Sequence, residues 1–337
     1  MKGRYFIGLV VALALPFTPA AALRPLRIAS FNLEWLTATA TESRMAPWKN
    51  EDQLSAHRQA LAKILAKAVN ADIICVLEVT SHAALDKLAA EPALRKSGYR
   101  VLHLESGDTG TGQDVAFLVR VPLDKFNGAE IRRFTDTLVQ TSPSPGRKMK
   151  GSGKKEARAR LTKHAVVCLT SGQLKLCVMG IHLLAHPDDR RRTARREIQA
   201  RIAANLIRTE IVAKGYTPII VGDFNDFDPD VSHDSVTLKK ERRVIGLIKN
   251  FDPTRKGPEL LNFAERIQPE SERYSAYWDK NKNDKRDVGE PISLIDHILV
   301  DNSLSTRLVK AEILHGSHDG SVSDHWPVVV EIDRVNR

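Results

Sequence analysis

The chain has 337 residues, with 51 Lys and Arg against 41 Asp and Glu and 42% hydrophobic residues. That length is too great for a small stapled scaffold and suits one large domain or two ordinary ones, and a charged fraction of 27% argues against wholesale disorder. Three cysteines exclude a disulfide framework, none has zinc-finger spacing, and a net charge of +10 points to an anionic partner without naming it.

Lys2 and Arg4 precede an apolar run from Tyr5 to Leu15, followed by Pro16, Pro19 and Ala20-Ala21-Ala22. This is the pattern of a secretory signal over residues 1–22, and the run is too short to span a bilayer. A retained N-terminal anchor is the alternative. No later stretch is long and apolar enough for a transmembrane helix. Cleavage after Ala22 leaves residues 23–337 with a charge of +8. The expectation is a periplasmic or secreted monomer, with no stable membrane insertion after cleavage.

LRIASFNLEWL (Leu26 to Leu36) alternates as a strand. A helix is predicted over 51–68, with Leu54, Leu61, Ile64, Leu65 and Ala68 on one face. Asp72 to Val79 reads as a strand buried on both faces. A helix near 81–90 and strands near 99–104, 114–120 and 129–135 follow. Pro187-Asp188-Asp189 opens a long helix with Ile198, Ile202 and Leu206 at i, i+4, i+8. Strands near 217–222, 293–300, 309–314 and 327–332 end the chain. Strands mixed with helices throughout, with no linker or internal repeat, predict α/β or α+β packing.

Cys168 and Cys177 lie in AVVCLT and QLKLCVMGI, within a hairpin predicted over 163–183. A two-residue turn at Gly172-Gln173 places the cysteines opposite each other at a non-hydrogen-bonded position, where side chains approach most closely. A cross-strand disulfide follows; a slip of one residue would leave two reduced, buried thiols instead. Cys75, inside DIICVLEV, reads as a buried free thiol.

Two segments break the pattern. Residues 141–160 (TSPSPGRKMKGSGKKEARAR) form a basic loop in which Glu156 alone opposes seven Lys and Arg, among them Arg158 and Arg160. It is either a solvated surface or a phosphate-binding arm. Asp279 to Glu290 (DKNKNDKRDVGE) has acidic and amide side chains at loop positions 1, 3, 5, 9 and 12 of a calcium loop, but Asp284 stands where glycine is usual. It is either a Ca²⁺ site or a plain polar loop.

Polar groups that carry chemistry cluster at strand ends. Asn32 follows IASF, Glu78 ends DIICVL, His182 follows VMGI, Asp223 and Asn225 follow PIIVG, Asp296 interrupts SLI/ILV, and Asp324-His325 precede WPVVV. Each alone reads as a turn or structural residue. Together they place carboxylates, amides and imidazoles where an α/β sheet builds its site. Oxygen ligands such as Glu78, Asn32 and a strand-end Asp suit Mg²⁺ or Mn²⁺ rather than zinc. Two histidines near acids could neutralise a developing phosphate charge, and an Asp could orient or deprotonate water. The set describes metal-assisted phosphoester hydrolysis. No Gly-rich phosphate loop or G-x-S-x-G elbow offers another chemistry.

The blocks IASFNLEWL, DIICVLE, GIHLLAH, VGDFND, LIDHILV and VSDHWPVVV, in this order, resemble the motifs of the endonuclease/exonuclease/phosphatase superfamily, over about residues 26–333. The resemblance implies a four-layer α/β sandwich: two mixed sheets face to face, helices outside, the site at one end between the sheets. It implies Asn32 and Glu78 as the metal-holding pair and Asp324 as a second acidic metal or phosphate-side ligand. It implies Asp223 as the residue that positions water, Asn225 as a phosphate contact, His325 as the histidine acting on the phosphate, and Asp296 as its orienting carboxylate. His182 matches a second histidine of the deoxyribonuclease I and sphingomyelinase branches. Val76-Leu77-Glu78 departs from the usual Leu-Gln-Glu, so a polar neighbour is missing. No tyrosine matches that of the apurinic-endonuclease branch.

The secretory signal, the +8 charge and the basic segments favour nucleic acid, DNA or RNA, as substrate. Cleavage leaving 3′-hydroxyl and 5′-phosphate ends is the superfamily habit. Arg190, Arg191, Arg192, Arg195 and Arg196 begin the long helix, where cations oppose the dipole, which favours an anionic partner over a merely solvated face. Arg158, Arg160 and Arg195 are the candidate substrate-phosphate contacts. The alternatives are a secreted phospholipid or sphingomyelin phosphodiesterase or a phosphatase, and, third, a non-catalytic nucleic-acid-binding module. A lipid enzyme would want an exposed apolar or aromatic wedge, and no such stretch is evident.

Overall fold

A computed structural model describes residues 24–134, 159–232 and 242–334. The signal-like segment 1–22 and residues 141–158 of the basic loop, Arg158 included, lie outside the described residues.

The strands are β1 (Leu26–Leu36), β2 (Ile73–Val79), β3 (Arg100–His103), β4 (Asp114–Val119), β5 (Ile131–Arg132), β6 (His164–Ser171), β7 (Leu174–His182), β8 (Thr217–Asp223), β9 (Leu260–Asn262), β10 (Ala276–Tyr277), β11 (Ile292–Ser293), β12 (Asp296–Asp301), β13 (Leu308–Ile313) and β14 (Val328–Ile332). They form two six-stranded sheets, β13-β14-β1-β2-β4-β3 and β5-β6-β7-β8-β12-β9, with β10-β11 as a separate pair. Both large sheets are mixed: β1 runs parallel to β2 and β7 parallel to β8, and the remaining pairs are antiparallel.

Side-chain alternation explains the layers. Ile73, Cys75 and Leu77 of β2 face the other sheet and meet Val167, Val178, Ile219 and Val221 in the central core. The opposite face of β2, Ile74 and Val76, packs under helices α1 (Glu51–Lys63) and α2 (His82–Ala90) and the turn that continues α1, through Leu61, Leu65, Leu85 and Leu88. Met179, Ile181 and Ile220 cover the outer face of the second sheet and pack on α3 (Arg190–Leu206) and α4 (Val244–Lys249). Strands buried on both faces need apolar residues at every position, which is why β2 carries Glu78 as its only charge. The result is the four-layer sandwich that the motifs imply.

Gly180 sets the spacing of the two sheets: a Cβ there would stand 2.5 Å from Cys75 Sγ and 2.7 Å from Val115 Cγ1. The helices start on side-chain caps. Asn50 accepts from Gln53 N, Ser81 from Ala84 N, and Asp189 from Arg191 N and Arg192 N.

The hairpin register is the predicted one, with Cys168 opposite Cys177 and Gly172 at φ +60° in the turn. The two cysteines form a disulfide across β6 and β7, their Cα atoms 4.1 Å apart. Cys75 is a buried free thiol whose proton affinity is raised by burial.

Several boundaries differ from expectation. The first helix widens after Lys63 into a π-helical turn, Ile64–Val69, that ends on Asn70 at φ +39°. The strand predicted over 129–135 is reduced to Ile131–Arg132. α4, β9, β10 and β11 had no sequence signal, since two to six residues cannot display a period. Arg196 corrects the arginine-rich helix face: it is fully buried, 3.1 Å from Asp226, and its guanidinium donates to the carbonyls of Leu184, His186 and Pro187.

Candidate active site

The site lies where the C-terminal ends of β1, β2, β7 and β8 meet β12 and the segment before β14. Two irregularities aim its first residues. The pairing of β1 with β2 shifts between Asn32 and Leu36, and that of β2 with β4 shifts between Leu77 and Val79. Within these bulges Glu34, Trp35 and Glu78 adopt φ of 50°, 61° and 61°, which for such residues costs about 1–3 kcal/mol each. The gain is convergence. Glu78 turns out of the strand alternation, so that Asn32 Nδ2 donates to Glu78 Oε1 at 3.2 Å and the Trp35 N–H to Oε2 at 3.3 Å.

Gly222 delivers the next group. At φ +136° it packs so tightly on β7 that a Cβ would fall 1.9 Å from the Ile181 carbonyl oxygen. The register then places Asp223 beside His182 on one side and opposite Asp296 on the other. His182 Nε2 lies 3.6 Å from Asp223 Oδ2 and 3.9 Å from Glu78 Oε1. Asp223 Oδ1 accepts the Asn225 N–H at 2.7 Å; Asn225 stands at φ +48° and donates its amide to the Leu183 carbonyl.

His325 and Asp296 close the far side. His325 Nδ1 is 2.6 Å from Asp296 Oδ2, which also accepts from Ser275 Oγ at 2.8 Å. Ser323 Oγ donates to the Asn32 carbonyl and accepts the His325 N–H, tying the loop before β14 to the end of β1. Asp324 is half-exposed at the mouth, 3.7 Å from His325 Nε2.

The electrostatics follow from burying so many acids together. Burial raises Asp223 to about 8, and Asp296 opposite adds to the shift. Burial likewise raises Glu78, with Asp324 adding to it, and lifts Glu34 to about 9. Burial also disfavours a charged His325, yet Asp296 and Asp324 outweigh it and hold its pKa well above the ordinary histidine value. His182 goes the other way: burial and then Lys163 push it well below, so it is neutral. One imidazolium and one neutral imidazole thus face the same carboxylates.

Ligand atoms of Asp223, Asp296 and His325 all lie within 4.8 Å of one another. His325 has Nδ1 engaged by Asp296. Asn32 and Glu78, with Asp324 at the mouth, supply the oxygen donors that suit Mg²⁺ or Mn²⁺, and the gathering of carboxylates calls for a cation. The residues fit a divalent ion.

Eight of the predicted site residues, Asn32, Glu78, His182, Asp223, Asn225, Asp296, Asp324 and His325, therefore meet. Arg160 and Arg195 do not join them: both side chains are exposed and neither is bonded to a site residue. The Asp279–Glu290 loop is exposed and folds on its own bonds. Asp279 accepts backbone N–H groups from Lys282, Asn283 and Asp284, while Asn281 and Asn283 direct their amide nitrogens at Asp287. Sequence reasoning missed Ser275, Ser323, Glu34 and Lys163. Ser275 and Ser323 sit outside any regular element long enough to read. Lys163 lies opposite His182, its carbonyl accepting the His182 N–H, and its ammonium bonds Gln113 and Asp108.

Residues 29–325 match the model of the Endonuclease/Exonuclease/phosphatase family. The chain belongs to this family. Solved structures share its fold at low identity. A 3′ phosphatase, NExo, from Neisseria bound to a product DNA hairpin is 17% identical, with a TM-score of 0.56 over 91% of this chain and 99% of that one. Truncated TDP2 from Caenorhabditis elegans is 18% identical, with a TM-score of 0.54 over 92% and 97%. TDP2 from D. rerio, complexed with single strand DNA product, is 16% identical, with a TM-score of 0.52 over 91% and 98%. No curated protein matches the sequence.

Proposed function

We propose that residues 23–337 form a single-domain, exported, metal-dependent phosphodiesterase that hydrolyses nucleic acid, with residues 1–22 as its signal peptide. The observation that carries this is the buried His325–Asp296 pair, 2.6 Å apart, facing the Asp223 carboxyl whose proton affinity burial has raised. Asn32 and Glu78 would hold Mg²⁺ or Mn²⁺, with Asp324 at the mouth as a further oxygen. A bound divalent ion neutralises phosphate charge and favours attack by water.

The chain's own groups do the rest. Asp223 takes the proton of the attacking water, its Oδ1 oriented by the Asn225 N–H. His325, protonated on both nitrogens, keeps Nδ1–H on Asp296 and presents Nε2–H to a non-bridging phosphate oxygen. His182, its Nε2 turned toward Asp223 and Glu78, adds one ring N–H as a further donor. The +8 charge of the mature chain favours a polyanionic substrate. A 3′ phosphatase is the second reading, favoured by the fold shared with NExo.

The test incubates the mature protein with plasmid DNA, RNA, a 3′-phosphorylated oligonucleotide and sphingomyelin, with Mg²⁺, Mn²⁺, Ca²⁺ or chelator. Nucleic-acid cleavage that needs a divalent ion is expected. Cleavage of lipid alone would overturn the nuclease reading, and full activity in His325→Ala and Asp223→Ala would overturn the residue roles.

A further inference from the structure

Trp278 is 67% exposed, and apart from histidines it is the one exposed aromatic ring among the described residues. Its position ties it to the site. Ser275 bonds Asp296, Ala276 bridges to His325, the Tyr277 N–H donates to the Asp324 carbonyl at 3.0 Å, and the Trp278 N–H continues the pairing by donating to Pro291 at 2.9 Å. Alternation along this extended segment puts Ala276 and Trp278 on one face. Ala276 packs against Phe227 and Ile295, which lie two residues after Asn225 and one before Asp296, and Trp278 stands about 7 Å further along the same face, in solvent.

The loop that follows supplies cations. Lys280, Lys282 and Lys285 are exposed, and none of their ammonium groups has a carboxylate partner among the described residues. Three acids of the same loop are engaged, while Asp284 is exposed: Asp279 accepts three backbone N–H groups, Asp287 takes two amides, and Glu290 accepts the N–H groups of Lys280 and Asp287. A free indole beside unpaired lysines at the mouth of a phosphodiester site is the arrangement that grips an unpaired strand, with the base on the ring and the phosphates on the cations.

We propose that Trp278 stacks on an unpaired nucleobase flanking the scissile phosphate, with Lys280, Lys282 and Lys285 on neighbouring phosphates. The preferred substrate class is then single-stranded or frayed nucleic acid. This rests on the nuclease reading of the site. In a duplex both faces of each base are already stacked, and freeing one costs a few kcal/mol. A lipid surface fits less well. Val288, fully exposed in the same loop, is separated from Trp278 in sequence by charged and amide residues, so the segment offers no contiguous apolar stretch to insert.

The experiment measures binding of a labelled thymidine 12-mer and of a hairpin duplex to the mature protein carrying His325→Ala, in chelator, followed by anisotropy and by tryptophan emission. Trp278→Ala should weaken the single strand on the order of 10- to 100-fold, the duplex much less, and Trp278→Phe should keep most of the affinity. The triple change of Lys280, Lys282 and Lys285 to Gln should reduce the slope of log K against log salt by up to about 2. Wild-type affinity in Trp278→Ala, or an indole emission that responds to phosphatidylglycerol vesicles and not to the 12-mer, overturns the proposal. The two readings separate in cleavage by the protein with His325 intact. If it cuts oligonucleotides and Trp278→Ala cuts them with unchanged kcat/KM, only the stacking role falls. If it cuts no DNA or RNA, the nuclease reading falls with it. A matching thermal midpoint shows that the variant is folded.

Discussion

Asp296 Oδ2 serves two donors at once, His325 Nδ1 at 2.6 Å and Ser275 Oγ at 2.8 Å, while Oδ1 of the same buried carboxylate has no hydrogen-bond partner. The carboxylate is thus fixed in plane by the serine, and the imidazole is fixed by the carboxylate. Asp296→Asn keeps the shape and removes the charge that favours imidazolium. The expected result is a fall in kcat of about 100- to 1,000-fold with KM little changed. Ser275→Ala should cost less, about 10-fold, because the ion pair survives. Steady-state kinetics on whichever phosphodiester is cleaved checks both.

Burial sets a pH limit on stability that is separate from catalysis. His164 Nε2 accepts the Phe134 N–H at 3.0 Å, leaving Nδ1 to donate to the Leu161 carbonyl, so the ring is held neutral. Burial lowers its pKa to about 4, and does the same to His57, whose Nε2 meets the Leu33 carbonyl. The unfolded chain binds these protons at about 6.5 and the folded chain does not. Their stabilisation is therefore complete above about pH 6.5 and is lost as pH falls from there toward 4, each ring contributing up to about 1.4 kcal/mol per pH unit. Asp223 and Glu34, raised by burial to about 8 and 9, contribute in the opposite sense over the same range, so the histidine part is read as a difference: between pH 7.5 and 5 the urea-unfolding stability of His57→Phe should lose less than that of the wild type as pH falls.

The same physics decides what could be read from the sequence. Asn32, Glu78, His182, Asp223, Asp296 and His325 were legible because each interrupts or ends a long apolar run, where an isolated polar residue stands out. The sandwich was legible because β1, β2, β7, β8, β12 and β14 are long enough to show burial on one or both faces. What stayed hidden has no period. Ser275 lies beside the two-residue strand β10, and the bulges that aim Glu78 and Glu34 are backbone conformations that no residue type announces. Arg196 misled for another reason. A run of arginines reads as surface, and its true partner, Asp226, is thirty residues away in the motif GDFND.

The Cys168–Cys177 bond joins neighbouring strands across a hairpin, a sequence separation of 9. Chain-entropy arguments for so short a loop give about 2–3 kcal/mol, much of it acting on the unfolded state. Reduction, or the double change to Ala, should lower the denaturant midpoint accordingly with little loss of activity, since both sulfurs face the helix side of the second sheet rather than the site. Unfolding curves with and without reductant supply the measurement; coincident curves would mean that the bond is absent in solution.

Arg196 offers the sharpest coupling of stability to site geometry. Its guanidinium is fully buried, holds Asp226 at 3.1 Å, and binds carbonyls of the segment that leaves His182, while Arg242 takes the other oxygen of Asp226 at 3.1 Å. Asp226 directly follows Asn225, so one cation pins both loops that flank Asp223. Arg196→Met keeps the volume but leaves Asp226 with Arg242 as its one cation and takes the donor from the Leu184 carbonyl. Breaking a buried pair in this way costs about 3–5 kcal/mol. Arg196→Lys keeps the charge yet cannot span Asp226 and three carbonyls together, so its cost should be smaller while kcat still drops. Thermal midpoints alongside kcat for the two variants separate the contributions: a Lys variant with wild-type kcat would show that the charge alone matters and that the fork of hydrogen bonds does not hold the catalytic loops.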